Sequence, residues 1–181
     1  MVLDKDIAEV LVSQSKIEQE TTRLAKEVSK DYHNQYPIVV GLLKGCMPFM
    51  SDLIKQLDFH MEVGFMDVSS YHGGTESTVD VKIEKDLNMP VNDRHVLIAE
   101  DIVDSGRTLK AVIDLLKARG AKTIEVVTML DKPEGRKIEY KPKYIGITIP
   151  KVFVVGYGLD YQERYRNLPY VGVLKPKIYQ T

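Results

Sequence analysis

Apolar residues recur at helical spacing from the start of the chain. Ile7, Val10, Leu11, Ile17, Leu24, Ala25 and Val28 fall on one stripe with charges between, which predicts a helix over residues 4–32. An unbroken apolar run follows, Ile38-Val39-Val40-Gly41-Leu42-Leu43, and predicts a buried strand that ends at Lys44-Gly45. Pro48 suits the first turn of a second helix, carried on by Met50, Leu53, Ile54 and Leu57. Residues 59–65 and 79–84 alternate apolar and polar, as half-exposed strands do. Residues 69–77 are polar, include two glycines and have nothing to bury, which predicts a loop or mobile arm. Val96 to Ala99 and Ile124 to Leu130 read as buried strands. Between them Thr108 to Arg119 reads as a helix with Leu109, Val112 and Leu116 on one face, ended by Gly120. Short strands are predicted at Val152–Tyr157 and Tyr170–Leu174. The strand–helix–strand order implies an α/β fold around a parallel sheet with right-handed crossovers. With no internal repeat or linker, residues 1–181 are expected to form one domain.

Composition narrows the class. The 181 residues suit a single core, and 44% apolar with 28% charged residues is ordinary globular usage. A net charge of -1 offers neither a basic face for nucleic acid nor an acidic tail. The first nine residues carry three acids and one lysine, so no secretory signal is expected. No apolar run approaches the roughly 20 residues of a bilayer span. Cys46 is the only cysteine, which excludes an internal disulfide and suits a reducing cytoplasm. His33, His60, His72 and His95 show no metal-ligand spacing.

The densest candidate chemistry lies in Val96-Leu97-Ile98-Ala99-Glu100-Asp101-Ile102-Val103-Asp104-Ser105-Gly106-Arg107-Thr108-Leu109. Here a buried strand runs into acids, then a Ser-Gly-x-Thr turn, then an amphipathic helix. Ligands of open α/β sheets bind beyond the carboxyl ends of strands, where this loop must sit. Gly106 permits close backbone approach to an anion, Ser105 and Thr108 supply hydroxyls, and a helix start offers unpaired N–H groups. Glu100 and Asp101 are wrong for phosphate but right for sugar hydroxyls or a bridging magnesium ion. On spacing alone, Asp104 and Ser105 could instead serve only as helix caps.

This segment resembles the ribose-phosphate-donor signature of the phosphoribosyltransferases: four apolar residues, two acids, two apolar residues, then Asp-Ser/Thr-Gly-x-Thr. Three further segments, in the expected order, resemble the hypoxanthine-guanine branch of that family. Leu43-Lys44-Gly45 is similar to its pyrophosphate loop, in which the leucine-lysine peptide can adopt a cis form. Ser70-Tyr71 matches the serine-tyrosine pair of its flexible active-site loop. Residues 151–169, Lys-Val-Phe-Val-Val-Gly-Tyr-Gly-Leu-Asp-Tyr-Gln-Glu-Arg-Tyr-Arg-Asn-Leu-Pro, resemble its purine-binding segment. The similarity runs from about Val39 to Leu174. One departure is Val152, which stands where many relatives carry a lysine.

The resemblance implies a type I phosphoribosyltransferase fold: a central parallel sheet flanked by helices, a flexible β-arm at about 66–86, and a small hood from about 150–181 with N-terminal residues. It implies donor ribose and phosphate contacts from Glu100, Asp101, Asp104, Ser105, Gly106, Arg107 and Thr108. Pyrophosphate contacts fall to Leu43, Lys44, Gly45 and Arg166. Phe153 would stack on the purine, the Val154 backbone would read its edge, and Lys132 would donate to its six-position oxygen. Asp160 would join Glu100 and Asp101 around magnesium, and Asp104 would be the catalytic base. The implied reaction joins hypoxanthine or guanine to phosphoribosyl diphosphate, giving IMP or GMP and pyrophosphate. It would run in the cytoplasm, in a homodimer or homotetramer, with no nucleic-acid or membrane partner. Alternatives on the same fold are a regulatory RNA-binding protein and a pyrimidine phosphoribosyltransferase.

Overall fold

A computed structural model of the chain describes residues 2–71 and 80–179. A turn of 3-10 helix at Val2–Asp6 leads into β1 (Ile7–Val12) and α1 (Gln14–Tyr32). Next come β2 (Ile38–Leu43), α2 (Met47–Ile54), β3 (Glu62–Tyr71), β4 (Asp80–Lys85) and β5 (His95–Val103). The chain continues through α3 (Arg107–Ala118), β6 (Thr123–Asp131), β7 (Tyr144–Thr148), β8 (Val154–Val155) and β9 (Val171–Leu174).

The main sheet has the order β4-β3-β2-β5-β6-β7. All its pairs are parallel except β3–β4 at the edge. Side chains alternate across its faces, and both faces are covered, so the inner strands are apolar throughout. Val39, Leu97, Val127 and Met129 pack with Ile17, Leu24, Val28 of α1 and Phe49, Met50, Leu53 of α2. Ile38, Val40, Val96, Ile98 and Val126 face Leu109, Val112, Ile113 and Leu116 of α3. A second sheet, β1-β9-β8, is antiparallel, and its Ile7, Val155 and Leu174 pack with Tyr165 and Leu168.

Strand order reverses at β2, whose neighbours β3 and β5 leave in opposite directions. A crevice therefore opens beyond the carboxyl ends of β2 and β5, the position at which open α/β sheets bind ligands.

The expected helix over 4–32 is corrected at its start: residues 7–12 are strand β1. Ile7 pairs with Leu174 and Val12 with Val171, so β9, far along the chain, supplies hydrogen bonds that a lone helical stripe does not. Ser13 sets the true helix start, its hydroxyl accepting from Lys16 N at 3.2 Å. The strand expected at 59–65 begins at Glu62 and runs to Tyr71, while that at 152–157 shortens to Val154–Val155. The second helix ends at Ile54, before Leu57. Strand β7, unforeseen, completes the sheet edge beside β6. The arm is described at its base, where Tyr71 pairs with Asp80; residues 72–79, His72 among them, lie outside the described residues.

Candidate active site

β5 carries Glu100 and Asp101 to the rim and then turns through Asp104-Ser105-Gly106 into α3. Gly106 adopts φ 76°, a left-handed conformation costly for other residues, and a Cβ there would meet Ile138 Cγ1 at 2.9 Å. Lys137 N donates to Ser105 O at 3.0 Å, and Lys110 N to Gly106 O at 2.9 Å, the latter closing the first helical turn. The amides before Lys110 open α3 and face the loop, the arrangement that receives an anion.

Glu100 and Asp101 sit beneath the loop that follows β2. A Cβ on Gly45 would lie 1.8 Å from Asp101 Oδ2, and a Cβ on Gly158 1.9 Å from Gly45 O. Residues 45, 101 and 158 thus interlock through two glycines. The Leu43–Lys44 peptide is cis. Burial, and secondarily the charge of Asp101, hold the Glu100 carboxyl well above the usual carboxylate range. Burial likewise raises Asp101 to about 6, against the Ile102 N–H that donates to its Oδ1 at 2.7 Å. Among the described residues neither acid has an ion-pair partner, and no group of three or more His, Cys, Asp or Glu could hold a metal ion unaided.

Beyond Gly158 a charged chain crosses the mouth of the crevice. Arg166 pairs with Asp160 at 2.9 Å and with Glu163 at 3.1 Å, while its Nη1 donates to Gly158 O at 2.8 Å. Lys44 pairs with the other oxygen of Glu163 at 3.0 Å. Asp160 Oδ2 in turn accepts from Glu163 N at 2.9 Å.

On the opposite side, buried Lys132 places Nζ 2.8 Å from Asp104 Oδ2. Lys132 N donates to Val103 O at 3.0 Å, tying the end of β6 to the end of β5. Gly135 lies against Asp104, since a Cβ there would stand 1.9 Å from Oδ1. Phe153 is 42% exposed, with Tyr161 edge-on at 5.8 Å and Tyr179 tilted at 5.5 Å. An exposed ring backed by two others offers a face for stacking. Val154 is buried in β8 and pairs with Val173.

Two residues escaped sequence reasoning. Arg136 donates to Asp104 O at 2.9 Å, to Val103 O at 3.2 Å and to Tyr140 O, and ion-pairs with Asp131, so it fastens the loop that bears Asp104. The signal was an Asp and an Arg flanking the turn Lys132-Pro133-Glu134-Gly135. Glu163, between Lys44 and Arg166, left no sequence signal. The structure brings Lys44, Gly45, Asp101, Gly158, Asp160 and Arg166 together, and joins Lys132 to Asp104. Ser70 and Tyr71 lie at the end of β3, opposite Val81 and Asp80.

The phosphoribosyl transferase domain model matches residues 8–162. Over 180 residues the chain is 50% identical to a hypoxanthine-guanine phosphoribosyltransferase of Bacillus subtilis, covering 99% of this chain and 100% of that protein. It is 53% identical over 177 residues to a bifunctional protein TilS/HprT of Listeria monocytogenes, covering 98% of this chain but 27% of that longer protein. The chain therefore spans about a quarter of the length of such bifunctional relatives. Among solved structures, a hypoxanthine phosphoribosyltransferase from Staphylococcus aureus is similar with a TM-score of 0.96 and 50% identity, covering 100% of this chain and 98% of that one.

Proposed function

We propose, from the premise that this chain belongs to the phosphoribosyl transferase family, that it transfers the 5-phosphoribosyl group of phosphoribosyl diphosphate to hypoxanthine or guanine, giving IMP or GMP and pyrophosphate. One arrangement carries the reading. A buried ammonium, Lys132, stands 2.8 Å from Asp104, which follows the strand β5 that bears Glu100 and Asp101. A base-reading cation, a proton acceptor and a sugar-binding acid pair thus share one crevice.

In this reading the donor's ribose hydroxyls meet Glu100 and Asp101. Its 5-phosphate takes the amides and hydroxyls from Ser105 to Thr108, beside Arg107. The purine stacks on Phe153, with its edge read by the Val154 backbone and its six-position oxygen on Lys132. An adenine amino group would face a cation there and is rejected. As Lys132 turns to that oxygen it releases Asp104, which accepts the N7 proton while the glycosidic bond forms. Lys44, the Leu43–Gly45 backbone and Arg166 neutralise departing pyrophosphate. The arm bearing Ser70 and Tyr71 closes over the site and excludes water, which would otherwise trap the oxocarbenium-like ribose.

The acid pair fits magnesium: two adjacent hard oxygen donors whose ionised forms burial disfavours, and which make no ion pair among the described residues, so a bound cation would stabilise them. Glu100 and Asp101 would hold it, with Asp160 in support, and the remaining ligands would come from donor oxygens and water. Bound there, the ion would neutralise diphosphate charge. The reading extends to one domain over the whole chain, a cytoplasmic setting, which the lone thiol Cys46 suits, and a homodimer or homotetramer. No helix among the described residues is long and apolar enough to cross a membrane.

The test is a donor-dependent assay offering hypoxanthine, guanine, xanthine, adenine and uracil in parallel, with and without magnesium. Magnesium-dependent IMP and GMP formation is expected. Turnover of uracil alone, or of no base, overturns the proposal.

A further inference from the structure

Resting on that reading, the charged chain across the crevice mouth has a further role. Lys44 and Arg166, the two cations assigned to pyrophosphate, are both held by Glu163, one carboxylate oxygen each, at 3.0 and 3.1 Å. Two cations side by side repel unless an anion stands between them. Glu163 supplies that anion from within the chain, and its two-oxygen fork resembles the edge of a phosphoryl group.

The side chain is also built to leave. Glu163 is 63% exposed and Lys44 56%, so solvent screens their pairing and little packing opposes rotation. Asp160, at 30% exposure, is the fixed partner of Arg166 and also receives the Glu163 amide at 2.9 Å. The backbone beneath is pinned. Gln162, Glu163 and Tyr165 hold φ of 52°, 61° and 75°; Gly158 N donates to Arg166 O at 2.9 Å, and Arg164 N to Tyr161 O at 3.0 Å. Release of the cations therefore calls for side-chain rotation at Glu163 and no movement of the loop.

We infer that Glu163 is a stand-in anion for the pyrophosphate group: a positioning residue that holds Lys44 and Arg166 together in the free site, yields them to incoming diphosphate, and takes them back as pyrophosphate departs. It competes directly with pyrophosphate and sets how tightly that product is held. Among the described residues, Lys132 and Phe153 on the purine side share no hydrogen bond, ion pair or ring contact with Glu163, so purine binding is indifferent to it.

The experiment titrates inorganic pyrophosphate with magnesium chloride into the wild-type chain, Glu163→Gln, Glu163→Asn and Lys44→Ala by calorimetry, alongside steady-state kinetics. Asn tolerates the left-handed backbone at this position, so it guards against misfolding of the Gln variant. Both uncharged variants are expected to bind pyrophosphate roughly 3- to 10-fold more tightly, as the loss of two exposed competing ion pairs implies. The KM for the donor falls in parallel, and the KM for hypoxanthine stays within about two-fold. Unchanged or weaker pyrophosphate binding in both variants, with Lys44→Ala weakening it as expected, overturns the stand-in role alone. Should Lys44→Ala leave pyrophosphate affinity intact, the assignment of this loop to pyrophosphate fails and the stand-in role fails with it.

Discussion

Asp101→Asn isolates the cost of the buried acid pair. Asp101 rises in the fold from the ordinary 3.8 to about 6, chiefly through burial. A raised carboxyl contributes stability that is complete below the unfolded value and lost as pH climbs through the folded one. Between pH 4 and 6, then, the ligand-free protein should lose stability as Asp101 ionises. At ~1.4 kcal/mol per unit the shift corresponds to at most roughly 3 kcal/mol. Asp101 keeps some contact with solvent, which reduces this to ~1–2 kcal/mol, or roughly 2–8 °C for a chain of this size. Asparagine retains the shape and can still accept from Ile102 N, yet never ionises. The assay is thermal unfolding of both proteins at pH 5 and pH 7.5 without magnesium or donor. Asp101→Asn should unfold higher at pH 7.5, with a smaller gap at pH 5, while losing magnesium-dependent donor binding. An equal gap at both pH values, or a variant less stable at pH 7.5, would refute the desolvation argument.

Asp104→Asn should lower turnover by about 10²- to 10⁴-fold, as loss of a general base does, with donor binding by calorimetry nearly intact; unchanged turnover with hypoxanthine removes Asp104 from that role. Lys132→Ala should raise the KM for hypoxanthine and guanine far more than that for the donor, and equal effects argue against a base-reading lysine. Arg136→Met should destabilise the fold by about 3–5 kcal/mol in denaturant unfolding, because it strands the buried Asp131 charge and frees the loop bearing Asp104; a loss under 1 kcal/mol would show that the loop holds without it.

What the sequence made legible followed the range of the forces involved. The apolar run of β2 and that of β5 announce buried parallel strands because both faces of the sheet are covered. The turn at Gly106 is equally plain, since a left-handed residue before a helix calls for glycine. β1 reads as helix from its stripe alone, because β9, more than 150 positions later, supplies the ladder that makes it a strand. β7 hid in Tyr144-Ile145-Gly146-Ile147-Thr148, a run too short to distinguish from loop without β6 beside it. At the site, the residues proposed to touch a ligand belong to motifs and could be named from resemblance. Arg136 and Glu163 act on groups brought near by the fold: Arg136 is hinted at only by its place across a turn from Asp131, and no local pattern marks Glu163. Gly45, Gly135 and Gly158 look like ordinary turn glycines until the carboxylate or carbonyl each one accommodates is seen.

In the proposed function, the crevice beyond β2 and β5 grips a sugar diphosphate through its acid pair and its amide cradle. Calorimetric binding of phosphoribosyl diphosphate tests it most directly, with and without magnesium, in the wild-type chain and in Glu100→Gln combined with Asp101→Asn. Magnesium-dependent binding is expected in the wild type, with its loss in the double variant while the fold persists. Binding that ignores both magnesium and the two substitutions would contradict it.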